Sequence, residues 1–101
     1  MIYWVEDEED IRDCISEMIE FEYPNLSKHL IFLPHWSELP IVNDEDVIVH
    51  DLIGIGQKPE NLNKIVTYIC SGSTDEKYYE KINIRKPFQI KDIYELLKKH
   101  I

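Results

Sequence analysis

The stretch Val-Ile-Val-His-Asp-Leu at residues 47–52 decides the fold class of this chain. It is an apolar, largely β-branched run that ends on one carboxylate, a pattern typical of a strand buried on both faces of a parallel sheet. Ligands of open α/β sheets bind in the crevice beyond the carboxyl ends of the strands. The pattern therefore places Asp51 where the chemistry of such a fold is expected.

Shorter apolar runs on either side of this stretch predict four more strands, at residues 2–5, 30–33, 65–70 and 82–84. Apolar residues recur at helical spacing over residues 11–19 and 90–101. Only short helical segments fit elsewhere, at residues 35–39, 60–63 and 75–81. Because strands that alternate with helices favour a parallel sheet, we predict an α/β fold. Its sheet is doubly wound, with five parallel strands, and its third and fourth helices are shortened.

The composition indicates one globular unit. The chain has 101 residues, of which 44% are hydrophobic, so we expect a single domain over residues 1–101. The formal net charge of −9 disfavours nucleic acid and membrane surfaces as direct partners, and is compatible with a metal cation or a basic protein surface. No apolar run approaches membrane-spanning length and no basic leader precedes Glu6, so we expect a cytoplasmic protein. Cys14 and Cys70 lack metal or disulfide spacing and are expected to be buried thiols.

Distinctive polar groups follow four of the five predicted strands. Glu6 and Asp7 follow the first strand, Asp51 the third, Ser71 the fourth and Lys86 the last. In a doubly wound sheet these strand ends lie along one edge. Three carboxylates crowded together repel one another unless a cation joins them, and hard oxygen ligands of this kind suit Mg²⁺. A lysine and a hydroxyl nearby would complete a pocket for a phosphoryl group.

Each of these residues also has a simpler interpretation. Asp51 can be a strand-end cap, Ser71 a turn hydroxyl and Lys86 a solvated surface lysine. The acids at residues 8–10 are those of a first helical turn, where carboxylates oppose the helix dipole. His50 alternates to the other side of the strand from Asp51 and is expected to be a packed core histidine.

Four short motifs together resemble those of one protein family. They are Val-Glu-Asp-Glu at residues 5–8, Val-His-Asp-Leu at 49–52, Ser-Gly at 71–72 and Lys-Pro-Phe at 86–88. In this order, at successive strand ends, they resemble the motifs of the receiver domains of two-component response regulators. Any one of them alone carries little information, but the set covers the whole chain.

The resemblance implies a function and a set of site residues. Asp51 would accept a phosphoryl group from a histidine kinase or phosphotransfer protein. Mg²⁺ would be held by Glu6, Asp7, Asp51 and the backbone carbonyl of Ile53. Ser71 would be the switch hydroxyl, and Lys86 would pair with the phosphate, its peptide bond to Pro87 being cis. Such a domain is not an enzyme, and it signals through a downstream protein target, which can be a second copy of the chain.

The sequence departs from the family pattern at three points. Asn83 stands where receivers usually carry an aromatic residue that relays the switch, and Gly54-Ile55 stands where an apolar residue and a proline are usual. The third point is the shortened helices. These departures favour an alternative, a degenerate receiver that acts as a phosphorylation-independent interaction module. A third interpretation, a metal-dependent phosphatase, lacks any clear general acid or substrate pocket.

Overall fold

Five short parallel strands form the sheet of this protein. The computed structural model describes residues 1–52 and 54–101, apart from the side chains of Tyr78 and Tyr79. The strands are β1 (Ile2–Val5), β2 (Leu30–Leu33), β3 (Val47–His50), β4 (Val66–Ser71) and β5 (Ile84–Arg85). The helices are α1 (Glu9–Glu22), α2 (Pro24–Ser27), α3 (Glu76–Tyr79) and α4 (Ile90–Leu97), with 3-10 helices at Trp36–Glu38 and Lys98–His100.

The strand order β2-β1-β3-β4-β5 confirms the predicted α/β fold with a doubly wound sheet. It is the order of flavodoxin-like folds. β1 pairs with β2 on one side and with β3 on the other. The strand order therefore reverses between β1 and β3. In sheets of this kind the ligand crevice opens at that point, beyond the carboxyl ends of the strands. Glu6 directly follows β1 and Asp51 directly follows β3, which places both at the crevice.

The two faces of the sheet are covered differently. One face packs against helices, through Ile15, Ile19, Leu26, Ile93 and Leu97. Within this core the indole of Trp4 stacks on Phe32, with ring centroids 5.4 Å apart. The other face packs against the first 3-10 helix and loops, through Trp36, Ile55, Leu62 and Ile65. Loop segments therefore take the place of longer helices on the second face.

One predicted helical turn is absent, and several predicted boundaries differ from the structure. Residues 60–63 form turns instead of a helical turn. β4 begins one residue later than predicted, and β5 begins two residues later. The short helix α2, which begins at Pro24, was not predicted. Proline ends one helix because it disfavours helix in the preceding residue, yet its fixed φ suits the first turn of the next.

The two cysteines lie in different environments. Cys70 is buried, as predicted, and burial raises the pKa of its thiol to about 12. Cys14 is exposed on α1, so the prediction that it is buried is wrong. It occupies the border of the apolar stripe of α1, where helical periodicity alone does not distinguish a core position from a surface one. Within the residues that the structure describes, no helix has the length and apolarity needed to cross a bilayer.

His50 is a packed core histidine, as the sequence predicted. Its side chain is buried, its ring lies against that of Trp36 with centroids 5.0 Å apart, and its Nδ1 lies 2.6 Å from the carbonyl oxygen of Asp51. Its Nε2 is buried without a hydrogen-bond partner among the described residues. Burial lowers the pKa of His50 below its ordinary value. The folded protein therefore favours the neutral ring.

This burial predicts a pH-dependent stability. Because the folded state holds His50 with a lowered pKa, the unfolded chain binds more protons once the pH falls below about 6.5. The free energy of unfolding should then fall, by at most about 1.4 kcal/mol per pH unit for this one group. Urea unfolding between pH 7.5 and 5.5 measures the slope, and His50→Gln should reduce it. His29→Gln, at an exposed position, is the control; equal slopes for wild type and His50→Gln would contradict the prediction.

Candidate functional site

Three carboxylates converge at the carboxyl edge of the sheet. Val5 and His50 are paired across β1 and β3, so the residues that follow them, Glu6 and Asp51, emerge side by side. With Asp7, they offer one carboxylate oxygen each, and these oxygens all lie within 4.8 Å of one another. The cluster is graded in exposure: Glu6 is buried, Asp51 is half-buried and Asp7 is exposed. This acidic cluster can hold a metal ion, and it brings together three of the predicted ligands.

Lys86 bridges two members of the acidic cluster. It follows β5, and its Nζ donates hydrogen bonds to Oε1 of Glu6 at 2.5 Å and to Oδ2 of Asp51 at 2.8 Å. Its peptide bond to Pro87 is cis, as the resemblance implied. The interpretation of Lys86 as a solvated surface lysine is therefore wrong. Its ammonium lies in the cluster and neutralises part of its charge.

Burial and charge shift the pKa values of this pair. Burial raises the pKa of Glu6 above its ordinary value, although the adjacent ammonium of Lys86 lowers it in part. Burial alone would lower the pKa of Lys86, but the hydrogen bonds to Asp51 and Glu6 outweigh it, and the pKa is raised. Lys86 is consequently always charged near neutral pH. It supplies a fixed positive charge in a partly desolvated place, where charge is most effective.

Both carboxylate oxygens of Asp51 accept hydrogen bonds. The main-chain N–H of Leu52 donates to Oδ1 at 2.7 Å, and Lys86 donates to Oδ2. Its side chain is nevertheless 14% exposed, whereas that of Glu6 is 0% exposed. Asp51 is therefore the carboxylate that combines a fixed orientation with access from solvent. Both properties are needed by a group that accepts a phosphoryl group.

Ser71 lies at the same sheet edge, on the strand between Asp51 and Lys86. It is the last residue of β4 and is buried, and its carbonyl accepts a hydrogen bond of 3.1 Å from the main-chain N–H of Lys86. Its Oγ accepts a hydrogen bond of 3.1 Å from the N–H of Ser73. Among the described residues it makes no hydrogen bond to Asp51 or to the ammonium of Lys86. The predicted carbonyl ligand, that of Ile53, lies outside the described residues.

Sequence reasoning did not identify two residues that contact the acidic cluster. Gly54 has a φ of +84°, and a Cβ added there would overlap the carboxylate of Asp7. Arg12 donates through Nη1 to the carbonyl oxygens of Glu6 and Asp7. For Arg12 a signal exists in the sequence, because it is the one cation in the acidic run at residues 6–13. For Gly54 the signal is its departure from the family pattern, in which an apolar residue is usual at this position.

An open apolar groove lies beside the acidic cluster. It has a volume of about 770 Å³ and runs between α1 and residues 86–91. Its lining includes Ile11, Cys14, Met18, Phe88 and Ile90. Of the described residues that line the groove, Glu22 is acidic and Lys86 and Lys91 are basic, so the groove is apolar inside and carries charges of both signs at its edges.

In comparisons with known proteins, no family model matches the chain, and neither a curated protein nor a solved structure matches it.

Proposed function

We propose that this chain is a phospho-accepting receiver domain, in which Asp51 takes a phosphoryl group in the presence of Mg²⁺ and a protein partner reads the result. One observation carries the proposal. Three carboxylates with oxygens within 4.8 Å of one another share a sheet edge with an ammonium that contacts both Glu6 and Asp51. Together with the four motifs that resemble receivers, this geometry supports a phosphoryl-transfer site better than a purely structural cluster.

The residues present fit a divalent cation. Once Lys86 has offset one of the three carboxylates of the acidic cluster, two negative charges are left for a dication to neutralise. All three side-chain donors are hard oxygens, which suit Mg²⁺, an ion that usually keeps several waters and adds a phosphate oxygen. The bound ion would neutralise charge on the phosphoryl oxygens. Glu6, Asp7 and Asp51 would hold it.

The transfer itself is a single displacement at phosphorus. A carboxylate oxygen of Asp51 attacks the phosphorus of a phosphohistidine, a P–O bond forms and the P–N bond breaks. The electron pair of the broken bond stays on the imidazole nitrogen, and Asp51 becomes an acyl phosphate. The ammonium of Lys86 can then pair with a phosphoryl oxygen instead of the Asp51 carboxylate. The hydroxyl of Ser71 can donate a hydrogen bond to a second phosphoryl oxygen.

The apolar groove supports a protein as the phosphodonor. It adjoins Lys86, so a protein bound there would have its reactive histidine close to Asp51. A surface that matches the groove has apolar side chains, because apolar residues such as Ile11, Met18 and Phe88 line it. A histidine kinase or a phosphotransfer protein with such a surface is the proposed partner. The downstream target is a second protein, or another copy of this chain.

One observation favours the alternative, a receiver that no longer switches. The Oδ1 of Asn83 accepts a hydrogen bond of 2.8 Å from the N–H of Ile69, and the N–H of Asn83 donates to the carbonyl of Ile69, also at 2.8 Å. The side-chain oxygen of Asn83 thus accepts the hydrogen bond that a main-chain carbonyl of a neighbouring strand would otherwise accept. A residue used in this way cannot rotate freely as a relay. An interaction module that does not depend on phosphorylation is therefore the second candidate function.

Incubation with acetyl phosphate and Mg²⁺, followed by intact mass spectrometry, tests the proposal. We expect an adduct of one phosphoryl group that requires Mg²⁺ and is lost in Asp51→Asn. Asp44→Asn, which changes an exposed acid in a loop, is the matched control and should keep the adduct. No adduct on the wild type would favour the interaction module. An adduct that persists in Asp51→Asn would place the phosphoryl group elsewhere and overturn the assignment.

A further inference from the structure

We infer that Arg12 is a positioning residue for the divalent-ion site, because its guanidinium fixes the main chain that carries Asp7. The inference rests on the proposed function, in which Asp7 is a ligand of the ion. It adds a residue from α1 to a site that otherwise comes from the ends of strands.

The three carboxylates of the acidic cluster are not held equally. Glu6 is held by the ammonium of Lys86, and Asp51 by Lys86 and the N–H of Leu52. The carboxylate of Asp7 accepts no hydrogen bond from any described residue and is exposed. Its orientation is therefore set mainly by its own main chain. Of the three ligands, Asp7 is the one that depends on how the turn after β1 is fixed.

Arg12 fixes that turn. Its Nη1 donates to the carbonyl oxygen of Glu6 at 2.7 Å and to that of Asp7 at 3.0 Å, so two consecutive peptide groups are bound by one nitrogen. The main-chain N–H of Arg12 donates to the carbonyl of Glu8 at 3.0 Å, which holds Arg12 itself in the first turn of α1. The guanidinium of Arg12 thus fixes the main chain of Asp7 relative to α1.

The bonds of Arg12 go to main-chain groups and not to carboxylates. Although acids occupy every position from 6 to 10, the described chain contains no salt bridge between Arg12 and a carboxylate. This distinguishes a positioning role from simple charge compensation. A lysine could satisfy a carbonyl here, but its compact, strongly hydrated ammonium lacks the rigid planar donors of arginine.

A positioning role and a charge-compensating role of Arg12 predict opposite effects of its removal on cation binding. Removing a positive charge next to an acidic site should, by Coulomb attraction alone, make the site bind a dication more tightly. Releasing Asp7 from its fixed position should make binding weaker. Loss of a residue that orients a metal ligand typically lowers metal affinity by roughly 10- to 100-fold. We expect Arg12→Met to weaken binding by about 10-fold and Arg12→Lys to recover part of the loss.

Titration with Mn²⁺, with the free ion followed by electron paramagnetic resonance, measures this affinity without any phosphodonor. Circular dichroism and urea unfolding report whether each variant is folded; should Arg12→Met not fold, Arg12→Lys supplies the comparison. Lys28→Met, which removes an exposed lysine far along the chain, is the control for net charge. A double-mutant cycle with Asp7→Asn then shows whether Arg12 acts through Asp7, because its loss should add little once that carboxylate is gone.

The outcomes separate the two claims. A wild type that binds Mn²⁺ and an Arg12→Met variant that binds it equally well or more tightly would overturn the inference and leave the proposed function intact. A full additional loss on the Asp7→Asn background would also overturn it, since Arg12 would then act by another route. A wild type that binds no Mn²⁺ would overturn both the inference and the metal site of the proposed function.

Discussion

Replacing Lys86 with methionine should lower the free energy of unfolding at neutral pH by about 3 kcal/mol, the lower end of the range for breaking a buried ion pair. The side chain of Glu6 is 0% exposed and would be left without its cation, whereas that of Lys86 is 20% exposed, which limits the loss. Urea unfolding followed by circular dichroism measures the change. The deficit should shrink as the pH falls, because the raised pKa of Glu6 lets that carboxyl become neutral.

Two comparisons show whether the effect belongs to the buried pair. The double variant Glu6→Gln with Lys86→Met removes both charges of this pair and should recover much of the lost stability, since the fully buried carboxylate is gone and only the half-buried Asp51 is left without the ammonium. Lys98→Met breaks an ion pair of similar length, 2.7 Å to Glu95, between two side chains that are about half exposed. It should change stability little, as exposed pairs generally do. A deficit as large in Lys98→Met, or no recovery in the double variant, would rule out the explanation.

Replacing Gly54 with alanine should weaken Mn²⁺ binding by at least about 10-fold, the scale expected when a metal ligand is displaced. The backbone of Gly54 has a φ of +84°, and an added Cβ would overlap the carboxylate of Asp7. To relieve this overlap, either the carboxylate of Asp7 moves out of the acidic cluster or the loop that carries Gly54 moves away from Asp7. The left-handed conformation itself should also cost about 1–2 kcal/mol of stability in a residue with a Cβ.

The matched control for Gly54 is Gly72. A Cβ added at Gly72 would lie 3.4 Å from the Cβ of Lys86, an ordinary contact, and its φ is not in the left-handed region. Gly72→Ala should therefore bind Mn²⁺ like the wild type. The two affinities come from the same titration used for Arg12. Unchanged affinity in Gly54→Ala would mean that Asp7 has room to adapt, and the contact would then have no role in the site.

Local patterns of the sequence anticipated the parts of the fold that depend on neighbouring residues. The β-branched run before Asp51 becomes β3, and the apolar spacing before Pro24 becomes α1, which ends at Glu22. These features follow from backbone preferences and from the burial of one side of each element. The start of β5 was predicted two residues too early. The strand begins only after Asn83, whose side chain bonds Ile69, a residue from another strand, and no local pattern reveals such a bond.

In the candidate site, too, local patterns predict the residues, whereas contacts between distant segments decide how they are held. Glu6, Asp7, Asp51, Ser71 and Lys86 could be identified from the sequence, because each follows or ends an apolar run and strand ends of a parallel sheet share one edge. The contact of Lys86 with Glu6 joins residues 80 positions apart, and its energetic importance depends on burial, which only the folded chain creates. The roles of Arg12 and Gly54 likewise depend on distances of a few ångströms across a turn and a loop.

By itself, then, the sequence determined the five strands, the two longer helices and which chemical groups arrive at the crevice, since these depend on residues close together in the chain. Tertiary structure alone decided how these groups are held: Glu6 buried against an ammonium, Asp51 fixed yet accessible, and Asp7 oriented through its main chain. The physical reason is that burial, hydrogen-bond geometry and charge neutralisation arise between segments distant in sequence. They exist only when the sheet has brought those segments together.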